Sequence, residues 1–216
     1  MQTVVRMLGA SLAVTGLTVL SAPTTTHAQG LSIAPTVGIY APTGDLLNTV
    51  TMSGNTIAFR QRVGLAVGGR LGLSFGRIGL SATGSYVPTR LQATITETGI
   101  AQNSQDYTAL WFGTGRVNLW LLPRSSPLSL GVNGGVGLVG RGPTAVTDDE
   151  GNVYTDVSRN DWGGVVGGTV GLNLGIVGVF VSVDDYIYNP SVFEQLGVKS
   201  DTQNDLQFSF GFGSRF

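Results

Sequence analysis

The chain has no cysteine and a single histidine, and only 12% of its 216 residues are charged. Without cysteine there are no disulfides, no thiolate nucleophile and no Cys-type zinc site. Lys199 is the only lysine, and the 12 basic side chains stand singly against 13 acidic ones. No basic stripe can track a phosphate backbone, so nucleic acid is excluded as a partner. Soluble domains carry about 25% charged residues. A chain with half that, and with no apolar run of helix-spanning length beyond its N-terminus, is expected to face something other than water.

What is present begins with a leader. Met1 to Arg6 carry one positive charge, Met7 to Leu20 are apolar, and Ser21 to Ala28 end in Thr26-His27-Ala28. These are the three regions of a secretory signal in order. The apolar run is short of the roughly 20 residues of a spanning helix, so the expectation is export, with cleavage by signal peptidase after Ala28. Residues 29–216 then form one domain, and that domain has neither His nor Cys because His27 leaves with the leader.

Past Gln29 the dominant pattern is apolar alternation with period two, the mark of strands with one apolar face. It recurs eight times. Leu31, Ile33, Val37 and Ile39 share a face in the first run, and Leu65, Val67, Leu71 and Leu73 in the second. The third has Ile78, Leu80, Ala82 and Tyr86, and the fourth Trp111, Val117, Leu119 and Leu121. Leu128 to Leu138, Trp162 to Leu174 and Val177 to Val183 continue the series, and Leu206, Phe208, Phe210, Phe212 and Phe216 end it. Connections near Gly76, Pro123 to Pro127 and Gly175 are tight, whereas 42–56, 87–106, 141–161 and 189–204 read as long polar loops. This describes an all-β, eight-stranded antiparallel up-and-down barrel.

The polar face decides which solvent the apolar face meets. A water-facing surface should be about 25–35% charged, but the third run offers Gly79, Ser81, Thr83 and Ser85, and the fifth Ser129, Gly131, Asn133, Gly135 and Gly137. Such a face suits a lumen. The charges read within strands, Arg70, Arg116, Asp184, Asp205 and Arg215, share its parity and are expected to form a lumen network. A transmembrane barrel is therefore favoured over a secreted lipocalin-like binding barrel. Phe75, Tyr86, Tyr107, Trp111 and Trp162 fall near strand ends and are expected to be interfacial aromatics. Pro35 is a misfit in a closed barrel, and a bulge or a late start of the first strand is expected there.

The C-terminal run Leu206-Gln-Phe208-Ser-Phe210-Gly-Phe212-Gly-Ser-Arg-Phe216, with Gly38-Ile-Tyr40-Ala-Pro42-Thr-Gly44-Asp45 ending the first strand, resembles the small outer-membrane barrels of the OmpA and OmpX type from Gram-negative bacteria. The resemblance implies an integral outer-membrane protein that travels through the periplasm. It implies outer-membrane lipids and the barrel assembly machinery as partners, with Phe208, Phe210, Phe212 and Phe216 as the assembly signal. A monomer without cofactor is expected.

Enzymes among such barrels rely on a histidine with Ser or Asp partners, which the mature chain lacks, and Ser200 points away from its neighbour Lys199 in an extended segment. No enzyme activity is expected. Asp148, Asp149 and Glu150 offer oxygens to Ca²⁺, but a solvated acidic turn explains them more simply, and the spacing is not that of an EF-hand. Eight strands leave an interior just wide enough for side chains, which favours a plug, whereas the many inward glycines argue for room. The function expected first is a structural or interaction role through long extracellular loops, and the alternative is a small solute or ion channel or uptake barrel.

Overall fold

The computed structural model describes residues 29–52, 55–97, 100–122, 126–142, 145–147, 153–156, 159–174, 177–191 and 202–214, and every regular element among them is a strand. In chain order these are β1 (Gln29–Pro42), β2 (Leu47–Met52), β3 (Asn55–Gln61), β4 (Gly64–Phe75), β5 (Ile78–Glu97), β6 (Ile100–Leu122), β7 (Leu128–Arg141), β8 (Ala145–Thr147), β9 (Val153–Asp156), β10 (Arg159–Leu174), β11 (Val177–Tyr188) and β12 (Gln203–Ser214). Eight of them form the wall, in the order β5-β4-β1-β12-β11-β10-β7-β6, and pairing of β5 with β6 closes the ring. The expected eight-stranded antiparallel barrel is the observed one. The β4–β5 turn is Gly76-Arg77, with Gly76 at φ 65°, a left-handed value that glycine adopts without steric cost.

The register specifies how the ring closes. From Ser74 the pairing runs through Gly79, Asn118, Asn133, Gly167, Asp184, Gln207 and Tyr40, and returns to β4 at Gly64. The ladder thus comes back ten residues further along the same strand, the stagger that a barrel of tilted strands requires.

The burial pattern is inverted relative to a soluble protein. Leu31, Leu80 and Val136 are 56%, 50% and 60% exposed, and the apolar residues of all eight runs share this outward face. The buried set includes Ser32, Asn118, Asn133, Ser182, Asp184 and Gln207. A belt of exposed aliphatic side chains that circles the molecule far exceeds the patches soluble monomers tolerate. Hydrocarbon is the solvent that suits it, because closure of the ring gives every wall strand a partner strand on both sides along most of its length.

Two expectations change. Residues 42–56, 87–106 and 141–161 are not simply loops: β5 and β6 stay paired from Val87↔Leu110 to Glu97↔Ile100, and β3 adds to the edge of β5 from Thr56↔Thr96 to Gln61↔Leu91, with β2 beyond it. In β6 the run from Ala101 to Thr108 carries almost no apolar alternation, whereas in β5 Leu91, Ala93 and Ile95 do alternate with Gln92, Thr94 and Thr96, a period-two signal that the loop reading passed over. At Pro35, the ladder to β4 passes through Pro35↔Gly69 without a shift, so no bulge forms there. Among the described residues the ladder to β12 begins one residue later, at Thr36↔Gly211. The proline is accommodated because its strand is paired on one side only at that point.

Glycine is needed where the wall is crowded. A Cβ on Gly135 would stand 2.1 Å from the Gly115 carbonyl oxygen, whereas one on Gly113 would meet nothing within 4 Å. Gly135→Ala is therefore expected to lower the urea unfolding midpoint in detergent by the equivalent of about 1–3 kcal/mol, with Gly113→Ala within about 0.5 kcal/mol of the parent. Equal midpoints for the two variants would contradict the packing described.

Candidate functional site

The lumen is filled in layers. Nearest the short turns, Trp120 of β6 and Phe180 of β11 lie across glycines of the adjacent strands: a Cβ on Gly131 would be 2.8 Å from the Trp120 ring, and one on Gly211 2.3 Å from Phe180. Arg70 of β4 reaches the opposite wall, donating to Thr169 Oγ1 at 3.3 Å with its guanidinium 4.8 Å from the Phe180 ring centroid. A cavity of about 70 Å³ remains beside these groups.

Arg116 and Asp184 form an ion pair in the next layer, with side chains 1% and 4% exposed. Arg116 also donates to Thr114 at 2.7 Å, Tyr186 at 3.0 Å, Thr83 at 3.2 Å and Asn133 at 3.3 Å. Gly167 leaves room for the carboxylate, since a Cβ there would stand 2.3 Å from Asp184 Oδ1. A buried pair persists only with such satisfaction of its remaining donors and acceptors. The space enclosed by Arg70, Arg116 and Asp184 is about 10 Å³, close to that of one water.

Above the pair sits an apolar layer of Tyr40, Val87, Leu110, Phe112, Val139, Val165 and Tyr186. Phe112 is central, with ring centroids 5.5 Å from Tyr40 and 4.6 Å from Tyr186. A second polar layer closes the loop end. Asp205, fully buried, accepts from the Tyr40 and Tyr188 hydroxyls at 2.7 Å each and from Gln203 at 3.0 Å. Arg141 donates to the Tyr188 hydroxyl at 2.8 Å and to Gln61 Oε1 at 2.9 Å. One hydrogen-bonded chain thus spans β3, β7, β11, β12 and β1.

Of the charges read from the sequence, Arg116 and Asp184 meet, Arg70 lies beside them on Thr169 and Phe180, and Asp205 belongs to the upper layer with Tyr40 and Tyr188. Arg215 lies outside the described residues, as do Phe216, Asp148, Asp149, Glu150 and the leader 1–28. Phe208, Phe210 and Phe212 stand on the outward face of β12. Tyr86 pairs across with Trp111, and both face outward, as do Phe75 and Trp162. Tyr107 stands four residues beyond Trp111 on the projecting part of β6, beneath the Arg90 guanidinium, so it is not level with the others.

The reading of strand charges needs correction. Asp184 and Asp185 are neighbours on one strand, so when Asp184 points inward Asp185 must point out. Asp185 lies in register with Val166 and Leu206 and is part-buried, with its Oδ1 unpaired. Arg141, assigned to a loop, continues the inward parity of Ser129 to Val139, and that parity was the available signal. Gln61 had none, because it enters the barrel mouth from β3, outside the eight-run pattern.

No protein-family model matches the chain, and no curated protein matches it in sequence. Solved structures do resemble it. The outer membrane protein OprG from Pseudomonas aeruginosa aligns over 87% of this chain and 97% of its own, with a TM-score of 0.55 at 12% identity. Neisserial surface protein A aligns over 86% and 97%, with a TM-score of 0.51 at 7% identity. The fold is that of the small outer-membrane barrels. At these identities the likeness is one of architecture, and this barrel's lumen has to be argued from its own residues.

Asp184→Ala leaves Arg116 buried without its counter-charge and should cost about 3–5 kcal/mol, read as a lower urea midpoint in detergent. The double variant Arg116→Met with Asp184→Leu should recover most of the loss. A single variant as stable as the parent would mean that water, not Asp184, satisfies Arg116.

Proposed function

We propose that this protein is a non-enzymatic, non-conducting outer-membrane barrel that presents an extracellular sheet for interaction. The observation that carries the reading is that side chains from opposite walls meet across the lumen at two levels, Arg116–Asp184 and Arg141–Tyr188–Asp205, with an apolar layer between them. An ion would have to break buried charge pairs and cross an apolar constriction.

The long-loop end supports the interaction role. β5 and β6 continue beyond Tyr86 and Trp111 for eleven residues each, roughly 35 Å of strand. The extension has a small core of its own in Leu46, Leu91 and Ala93. Because the ladder between β6 and β7 begins at Leu110↔Arg141, β6 from Ile100 to Thr108 is paired on one side only among the described residues. An unpaired strand edge accepts an added strand through main-chain hydrogen bonds.

The purified protein in planar bilayers is expected to give no regular conductance steps, and reproducible steps of constant size would overturn the reading in favour of a channel. An epitope tag at Gln102 should bind antibody on intact cells and one at Arg77 should not. The reverse pattern would place the projecting sheet in the periplasm.

A further inference from the structure

The ladder of the outer wall breaks where β3 gives way to β4. β3 pairs with β5 down to Gln61↔Leu91, and β4 takes over only at Val67↔Tyr86, with the register one residue out of step. Arg62 and Val63 are therefore both exposed in succession, and just inside them Pro88, which has no N–H to donate, stands opposite Gly64 and Leu65. The wall is indented here, and a cleft of about 830 Å³ opens on the lipid-facing side.

The lining of this cleft is graded along the barrel axis. Its inner end is Leu65 and Tyr86, both more than half exposed on the face that continues the apolar belt. Its outer end is Arg62 and Arg90, held together by a backbone hydrogen bond from Arg62 N to Arg90 O of 2.9 Å. Tyr107 supports Arg90, accepting a hydrogen bond at its hydroxyl from the guanidinium, which lies 4.5 Å from the ring centroid. Neither arginine makes an ion pair with a described residue, and no Asp or Glu lines the cleft. Arg62 stands three residues beyond Leu65 and Arg90 four beyond Tyr86, roughly 10–13 Å of strand before the tilt is allowed for. At a strand tilt of about 45° this projects to roughly 7–9 Å along the barrel axis, close to the ~5–8 Å that each interfacial region adds to the hydrocarbon core.

From this we propose that the cleft binds a phosphate-bearing lipid of the outer leaflet, with the phosphate between Arg62 and Arg90 and an acyl chain along Leu65 and Tyr86. Two guanidinium groups present forked donors that match phosphate oxygens. The apolar floor beneath them selects an amphiphile over a soluble anion. Anchored there, the lipid would seal the indentation that Pro88 leaves in the wall.

The test uses the full protein purified from membranes in detergent, with short-chain phosphatidic acid as the probe and native mass spectrometry as the readout. The parent should retain phosphatidic acid, Arg62→Gln and Arg90→Gln should each weaken retention about tenfold, and the double variant about a hundredfold. Arg62→Lys with Arg90→Lys should recover part of the loss. Arg77→Gln, at the opposite end of β4, should match the parent. Heat-modifiable migration on gels checks that each variant is folded. Glycerol phosphate, the same headgroup without chains, should bind at least a hundredfold more weakly than the lipid. Unchanged retention by the folded double variant would overturn the proposal, and so would equal binding of glycerol phosphate, which would make the cleft a soluble-anion site.

Discussion

Everything in this molecule follows from closing eight strands in a medium that offers no hydrogen bonds. In hydrocarbon an unpaired N–H or C=O costs several kcal/mol, so the wall has to return to its own first strand. Here it does so with the ten-residue stagger that carries Ser74 round to Gly64. The stagger tilts the strands and sets the bore, and the bore decides what the inward face can hold. The departure from continuous pairing between β4 and β5 falls near the loop end, where the ladder approaches water and a proline is tolerated.

A narrow bore raises a packing problem that the glycines solve. Three of the side chains directed into the lumen lie against inward glycines: Trp120 against Gly131, Phe180 against Gly211 and Asp184 against Gly167. These three glycines therefore make space for other side chains. Large and small residues face one another on neighbouring strands, leaving a cavity of about 70 Å³ beside Arg70, Trp120 and Phe180. The Arg116 guanidinium so enclosed is satisfied in turn, using five oxygen partners. A half-satisfied network in this setting would be worse than an apolar filling.

What the sequence shows and hides follows the same physics. Inside the bilayer the two faces of a strand meet different solvents, so period-two alternation is strong, and all eight wall strands and their lipid faces are legible from Leu31 to Phe212. Further out, β6 from Ala101 to Thr108 has almost no apolar alternation and looks like a loop, while β5 keeps a period-two signal in Leu91, Ala93 and Ile95 that a polar setting obscures. Parity also locates Arg116 and Asp184 in the lumen. It does not say which partner each takes, because contact across the bore depends on stagger and on side-chain reach. Arg70 illustrates the point: it has the parity and approximate depth of Arg116, but its reach carries it to Thr169 and Phe180.

The two ends of the barrel are built differently, and the difference is energetic. At the short-turn end the chain reverses in two residues at Gly76-Arg77, and aromatic rings fill the bore. At the other end the cap is a hydrogen-bonded chain from Gln61 to Tyr40 that uses residues of five strands, one of which, β3, is not part of the wall. That cap couples the projecting sheet to the barrel, because β3 contributes Gln61 to the lumen while pairing with β5 outside it. The Arg116–Asp184 layer lies beneath the apolar stratum and is joined to it by Tyr186, whose hydroxyl accepts from Arg116 while its ring packs on Phe112.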